Sequence, residues 1–126
     1  MKIQELIKTA ISLVAGYKGI LAMDESNPTC NKRFAALGIP QTKEFRRAWR
    51  ELILTTSGLS ESISGAILYD ETIRQHQQDG TSFIKTITGA GIIPGIKVDA
   101  GAKDMAGHLR EKITEGLDGL RDRLAE

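Results

Sequence analysis

The stretch Gly16-Tyr17-Lys18-Gly19-Ile20-Leu21-Ala22-Met23-Asp24-Glu25-Ser26 limits what this chain can fold into more than any other. Ile20 to Met23 is a short apolar run with glycine before it and polar residues after it. That pattern predicts a strand covered on both faces, as in a parallel sheet. Asp24 falls at its C-terminal end. Ser26 and Asn27 are cap candidates, and Pro28 suits the first helical position. In α/β folds, the C-terminal ends of strands carry the chemistry.

The flanking sequence supplies the rest of such a fold. Ile3, Leu6, Ile7, Ala10, Ile11 and Val14 recur at helical spacing, and Gly16 closes the helix. A second helix is predicted from Pro28 to Leu37, with Cys30, Phe34 and Leu37 on one side and Gly38 as its stop. A third starts near Thr42. Its apolar stripe is Phe45, Ala48, Trp49, Leu52 and Ile53, opposite a solvated face of Arg46, Arg47 and Arg50. Ser57 to Ser64 reads as a polar loop, and Gly65 to Asp70 as the second strand. Glu71 to Gln78 suggests a short helix, and Phe83, Ile84 and Ile87 another, ended by Gly89. The third strand lies within Ile92 to Asp99. Pro94 lacks a donor, so pairing is expected from Gly95 onward. Residues 101–114 read as a long polar connection, and Leu117, Leu120 and Leu124 open a last helix. Strands separated by helical crossovers imply parallel neighbours, Gly19–Asp24, Gly65–Asp70 and Gly95–Asp99, in that order.

The 126 residues allow one modest core. Acids and bases are interleaved at a net charge of +1, which points to neither a nucleic-acid nor a membrane partner. No apolar run nears the roughly 20 residues of a membrane span, and residues 1–5 lack the apolar segment of a signal peptide. A cytoplasmic protein is expected. The single cysteine, Cys30, excludes an intrachain disulfide and suits a core position on its helix. His76 and His108 have no ligand spacing, to each other or to Cys30, and read as solvated.

Each strand ends in ionisable residues: Asp24 and Glu25, Asp70 and Glu71, Lys97 and Asp99. Residues two apart on a strand share a face. Asp24 and Lys97 would converge if their faces look into one interior, and a carboxylate beside an ammonium can orient hydroxyls or move a proton. Solvated charges at strand ends would leave the same pattern. Ser26, Thr29 and Arg33 surround a helix start, where unpaired N–H groups favour an anion. An ordinary cap with a surface arginine fits those residues as well.

Gly19-Ile20-Leu21-Ala22-Met23-Asp24-Glu25-Ser26 resembles the first-strand signature of class I fructose-1,6-bisphosphate aldolases. The similarity continues through Lys32-Arg33, Ile63-Ser64-Gly65-Ala66-Ile67-Leu68-Tyr69, Gly95-Ile96-Lys97-Val98-Asp99 and Glu115-Gly116-Leu117-Asp118-Gly119-Leu120. The resemblance implies an α/β fold, here a partial TIM (β/α)8 barrel: the first three parallel strands with their helices. Residues 1–126 would then be the N-terminal portion of a single barrel domain, roughly the first third of a family member. It implies reversible cleavage of fructose 1,6-bisphosphate to dihydroxyacetone phosphate and glyceraldehyde 3-phosphate through a lysine Schiff base, without a cofactor or metal. A phosphorylated sugar is the implied substrate, and a homo-oligomer, usually a tetramer, the implied assembly. By position, Asp24 and Lys97 resemble catalytic residues, and Ser26, Thr29, Lys32 and Arg33 a phosphate-binding region.

Some family features have no counterpart. The Schiff-base lysine, its glutamate partners and the second phosphate site lie on later strands of the family. A lysine often follows the Gly-Ile-Lys-Val-Asp block, where this chain has Ala100. Two functions therefore stay open: an aldolase whose N-terminal part is inactive alone, and a non-catalytic module that binds sugar phosphates or pairs with a subunit.

Overall fold

The computed structural model describes residues 2–126, and the chain forms two compact units, one running to Ile96 and one from Lys97 to Glu126. The first contains α1 (Ile3–Val14), β1 (Gly19–Met23), α2 (Asn27–Ala36), α3 (Lys43–Leu54), the single turn α4 (Leu59–Ser62), β2 (Ile63–Leu68), the single turn α5 (Asp70–Ile73), α6 (Phe83–Gly89) and β3 (Ile93–Ile96). The strands pair in parallel in the order β1-β2-β3, as the crossover pattern predicts. Two local readings change. Within residues 57–64, α4 and the start of β2 replace the expected loop, and the helix expected over residues 71–78 ends at Ile73.

Pro94 lies inside β3, opposite Ala66 of β2, so pairing begins before Gly95. β3 is at an edge of this sheet, where a missing N–H need not interrupt a ladder.

One face of the sheet carries the core and the other is covered only in part, by α1, which corrects the expectation of two-sided burial along the whole of β1. Alternation places Met23 of β1 with Ala66 and Leu68 of β2 in a core with Leu54, Phe83, Ile87 and Ile92. Phe83 and Leu68 are fully buried; each such side chain stabilises the fold by roughly 1.5–3 kcal/mol relative to exposure. On the opposite face of β1, Ile20 and Ala22 are exposed. There α1 approaches the start of β2. The Ser64 hydroxyl donates to Leu13 O at 2.5 Å, and Gly65 lets Leu13 come close; a Cβ on Gly65 would stand 2.5 Å from Leu13 Cδ2.

Helix α2 is anchored by buried Cys30 and Phe34, while Leu37, expected on the same side, is exposed. Gly38 turns the chain at φ +67°, and Ile39 N donates back to Phe34 O at 2.9 Å. Thr42 caps α3 by accepting from Phe45 N at 3.3 Å. The orientation of α3 reverses the expectation. Arg46, Arg50 and Leu54 are buried, and Phe45, Trp49 and Leu52 are exposed. The physical reason lies in the carboxylates that the arginines meet, described below.

The second unit corrects the reading of residues 101–114 as a plain connection. It holds an antiparallel hairpin, β4 (Gly101–Asp104) and β5 (Lys112–Glu115), followed by α7 (Leu120–Ala125). Gly116, at φ +148°, brings the backbone so near Asp99 that an added Cβ would lie 2.8 Å from Val98 O. Arg123 donates to Gly116 O at 2.7 Å and to Val98 O at 3.3 Å.

Candidate functional site

Strand β1 stops at Met23, so Asp24 and Glu25 stand in the link to α2, and both are half-buried. Ser26 takes the N-cap position with extended backbone, but its side chain caps nothing. Instead Ser26 Oγ and Thr29 Oγ1 share a hydrogen bond of 3.1 Å. Cys30 N donates to Ser26 O at 2.9 Å. In the first turn, Pro28 has no N–H, and the amides of Asn27 and Thr29 make no backbone hydrogen bond among the described residues. The helix start thus keeps two donors and two hydroxyls in one place.

Glu25 dominates the electrostatics here. Its Oε2 is 2.5 Å from Arg50 Nη1, and its Oε1 is 2.6 Å from Arg33 Nη1. Arg50 also donates from Nη2 to Glu25 O at 2.9 Å. Burial pushes the Glu25 carboxyl up, but the Arg50 hydrogen bond, its own backbone, and the charges of Arg50 and Arg33 outweigh this and hold it below the ordinary value. The carboxylate is therefore ionised at neutral pH.

A second buried pair braces the same edge. Arg46 binds Glu71 through two bonds, Nε to Oε1 at 2.8 Å and Nη2 to Oε2 at 2.9 Å. Its Nη1 donates to Asn31 Oδ1 at 2.9 Å, and Asn27 Nδ2 donates to Glu71 Oε2 at 3.2 Å. The hydrogen bonds from Arg46 hold Glu71 below its ordinary pKa despite burial. Helix α3 thus ties the residues following β1 to those following β2.

The structure brings Ser26, Thr29 and Arg33 onto one helix start and places Asp24 immediately before it. Lys32 is exposed and makes no hydrogen bond or ion pair among the described residues. Lys97 belongs to the second unit, where its ammonium pairs with Asp99. Asp99 also accepts from Gly101 N at 2.9 Å, and both bonds lower its carboxyl pKa, the Lys97 contact most. Cys30 is buried as expected, and burial raises its thiol pKa, which makes it inert.

Arg50 and Arg46 are the residues that pattern reasoning missed. Their spacing of four, on the same side as Ile53 and Leu54, signals one inward face of α3. Among the described residues, no helix is long and apolar enough to cross a membrane.

The family model for fructose-bisphosphate aldolase class-I matches residues 5–126. A probable fructose-bisphosphate aldolase class 1 of Xanthomonas campestris pv. campestris is 59% identical over 126 residues, all of this chain. The chloroplastic fructose-bisphosphate aldolase 3 of Arabidopsis thaliana is 50% identical over 97% of the chain. The chain spans 38% of the length of the first and 31% of the second. Among solved structures, fructose-bisphosphate aldolase from Plasmodium falciparum, in complex with TRAP and a small-molecule inhibitor, superposes with a TM-score of 0.91 at 45% identity. That match covers 95% of this chain and 35% of that one. With the strand order, the strand-end carboxylates and a family match through residue 126, this chain belongs to the class I fructose-bisphosphate aldolase family.

Proposed function

We propose that residues 1–126 form part of a single (β/α)8 barrel and contribute one edge of an aldolase active site. The reaction is the reversible cleavage of fructose 1,6-bisphosphate to dihydroxyacetone phosphate and glyceraldehyde 3-phosphate through a lysine Schiff base. Ser26, Thr29, Lys32 and Arg33 bind a phosphate of the sugar. Asp24 serves as the carboxylate that orients a substrate hydroxyl or moves its proton, and Lys97 supplies positive charge toward the substrate. The nucleophilic amine is not assigned to any lysine of this chain. Catalysis of this kind needs an amine with a depressed pKa at the ketone carbon. The Lys97 side chain is engaged by Asp99 instead. The working enzyme is a homo-oligomer of the cytoplasm.

The observation that supports this reading best is the helix start itself. Two hydroxyls, two unpaired amides and the arginine Arg33 gather within the first two turns of α2, directly after Asp24. The test is titration of the chain with fructose 1,6-bisphosphate. Arg33→Ala is expected to weaken binding by roughly 1–3 kcal/mol, the cost of a lost charge-assisted bond. Incubation with dihydroxyacetone phosphate and borohydride is expected to leave no adduct on this chain. Unchanged affinity would reject the phosphate site, and a stoichiometric adduct on Lys97 would overturn the assignment of its role.

A further inference from the structure

Arg33 lies two turns into α2, where an arginine ordinarily extends into water. Here its Nη1 reaches back to Glu25, a residue before the N-cap. The guanidinium is therefore drawn along the helix to the end where the Asn27 and Thr29 amides and the Ser26 and Thr29 hydroxyls are gathered. Only Nη1 is used; Nε and Nη2 of Arg33 make no hydrogen bond among the described residues. That edge is the one with which an arginine grips two oxygens of a phosphate.

Exposure rises stepwise through the triad: 2% for the Arg50 side chain, 20% for Glu25 and 63% for Arg33. The buried member holds both a carboxylate oxygen and the main-chain oxygen of Glu25, so Glu25 is fixed in place. Arg50 neutralises the Glu25 charge within the protein, and the remaining positive charge sits at the exposed end. A carboxylate beside an anion site would otherwise repel the anion; this one is already compensated.

We propose that Glu25 is a positioning residue for Arg33, holding one end of the guanidinium over the start of α2 so that the other end meets a phosphate monoester, with Arg50 as its fixed support. This rests on the reading of that helix start as a phosphate-binding edge. Without Glu25, Arg33 would have to be ordered anew with each binding event, and an arginine carries considerable rotamer entropy.

The test measures inorganic phosphate binding to the full chain by NMR titration, beside relaxation of the Arg33 Nε–H group. Glu25→Gln is expected to weaken phosphate binding about five- to tenfold and to mobilise the Arg33 side chain, with the backbone amides of α2 unchanged. It should also steepen the salt dependence, because the Arg50 charge is then uncompensated. A merely structural role for Glu25 would disturb the α2 backbone and leave the Arg33 side chain no more mobile than before. Glu25→Gln leaves a buried charge unpaired and can unfold the chain. The double variant Glu25→Gln, Arg50→Met removes both charges and keeps the experiment readable. It should show the same weakening and the same mobile Arg33. Tighter binding, or an Arg33 already mobile in the unaltered chain, would overturn the proposal. Arg33→Ala separates the two levels. Weaker binding in Arg33→Ala with none in the Glu25 variants sinks the positioning role alone. No change in Arg33→Ala sinks the phosphate edge on which it rests.

Discussion

Helices α1 and α3 have the same kind of sequence and different fates. Each carries an apolar stripe opposite charged residues. In α1 no residue is fully buried, and Ile3, Leu6, Ile7, Ile11 and Val14 all stay exposed. In α3 Phe45, Trp49 and Leu52 of the apolar stripe are exposed as well, while Ile53 packs against the core, and the face of Arg46 and Arg50 is buried and ends in two ion pairs, Arg50 with Glu25 and Arg46 with Glu71. Arginine stems cover apolar surface while their heads reach a charge. The carboxylates following β1 and β2 therefore turn α3 by its cations, and α1 has no such partner. An apolar period locates a stripe; which stripe faces inward depends on what the neighbouring strands present at their ends.

The largest effect should come from breaking that difference. Arg50→Ala is expected to lower the unfolding free energy by about 3 kcal/mol, the low end for a broken buried pair, because Glu25 loses its buried partner and keeps only the exposed Arg33. Leu52→Ser, on the exposed stripe of the same helix, should cost no more than about 0.5 kcal/mol. Urea unfolding followed by circular dichroism gives both numbers. Equal losses would mean that α3 is held by its apolar stripe after all.

Much of this was legible from residues alone. The three strands, their order and the helix start at Ser26 follow from apolar runs, caps and glycines, which act locally. What failed was non-local. Arg46 and Arg50 look like solvent-facing charges until Glu71 and Glu25 are placed opposite them, 25 residues away in each case. Ile20 and Ala22 look buried, but the core lies on the Met23 and Leu68 side of the sheet, and on the other side α1 reaches Gly65 of β2 and leaves them exposed. The hairpin at Gly101–Asp104 and Lys112–Glu115 has little apolar alternation to announce it; its pairing is carried by backbone bonds and an ion pair of Lys112 with Asp104. Of the candidate site, Arg33 and the two hydroxyls were legible from helix-start chemistry, whereas Glu25 meets Arg33 and Arg50 from 8 and 25 residues away, which no local pattern announces.

Acid should sharpen the comparison with a smaller effect. Glu25 and Glu71 have folded-state pKa values below the ordinary value of 4.5. Their contribution to stability is therefore complete above about 4.5 and is lost as the pH falls through the lowered folded-state values. Unfolding midpoints measured from pH 6 downward should drop in that window. In the Arg46→Met, Glu71→Gln variant, part of the drop should disappear. A pH profile identical to that of the unaltered chain would remove the Glu71 pair from the account.

The smallest expected effect concerns α1. Gly65→Ala places a methyl 2.5 Å from Leu13 Cδ2 and 3.3 Å from Ile93 O. The first neighbour is the end of a flexible side chain and can turn away. The second is backbone in a paired strand and must yield by a few tenths of an ångström. Gly65 has ordinary backbone angles, so alanine itself introduces no conformational strain there. The cost should be about 1 kcal/mol, at the low end for overpacking. It should fall on α1, which is held at this point by Leu13 and the Ser64 hydroxyl and carries no buried charge pair. Amide exchange in α1 is expected to quicken while α2 and α3 keep their protection. Leu13→Ala in the Gly65→Ala background should restore room for the methyl without restoring the contact, so α1 should stay loose. If exchange quickens equally in all three helices, α1 is coupled to the ion-paired edge, and the contrast between α1 and α3 fails.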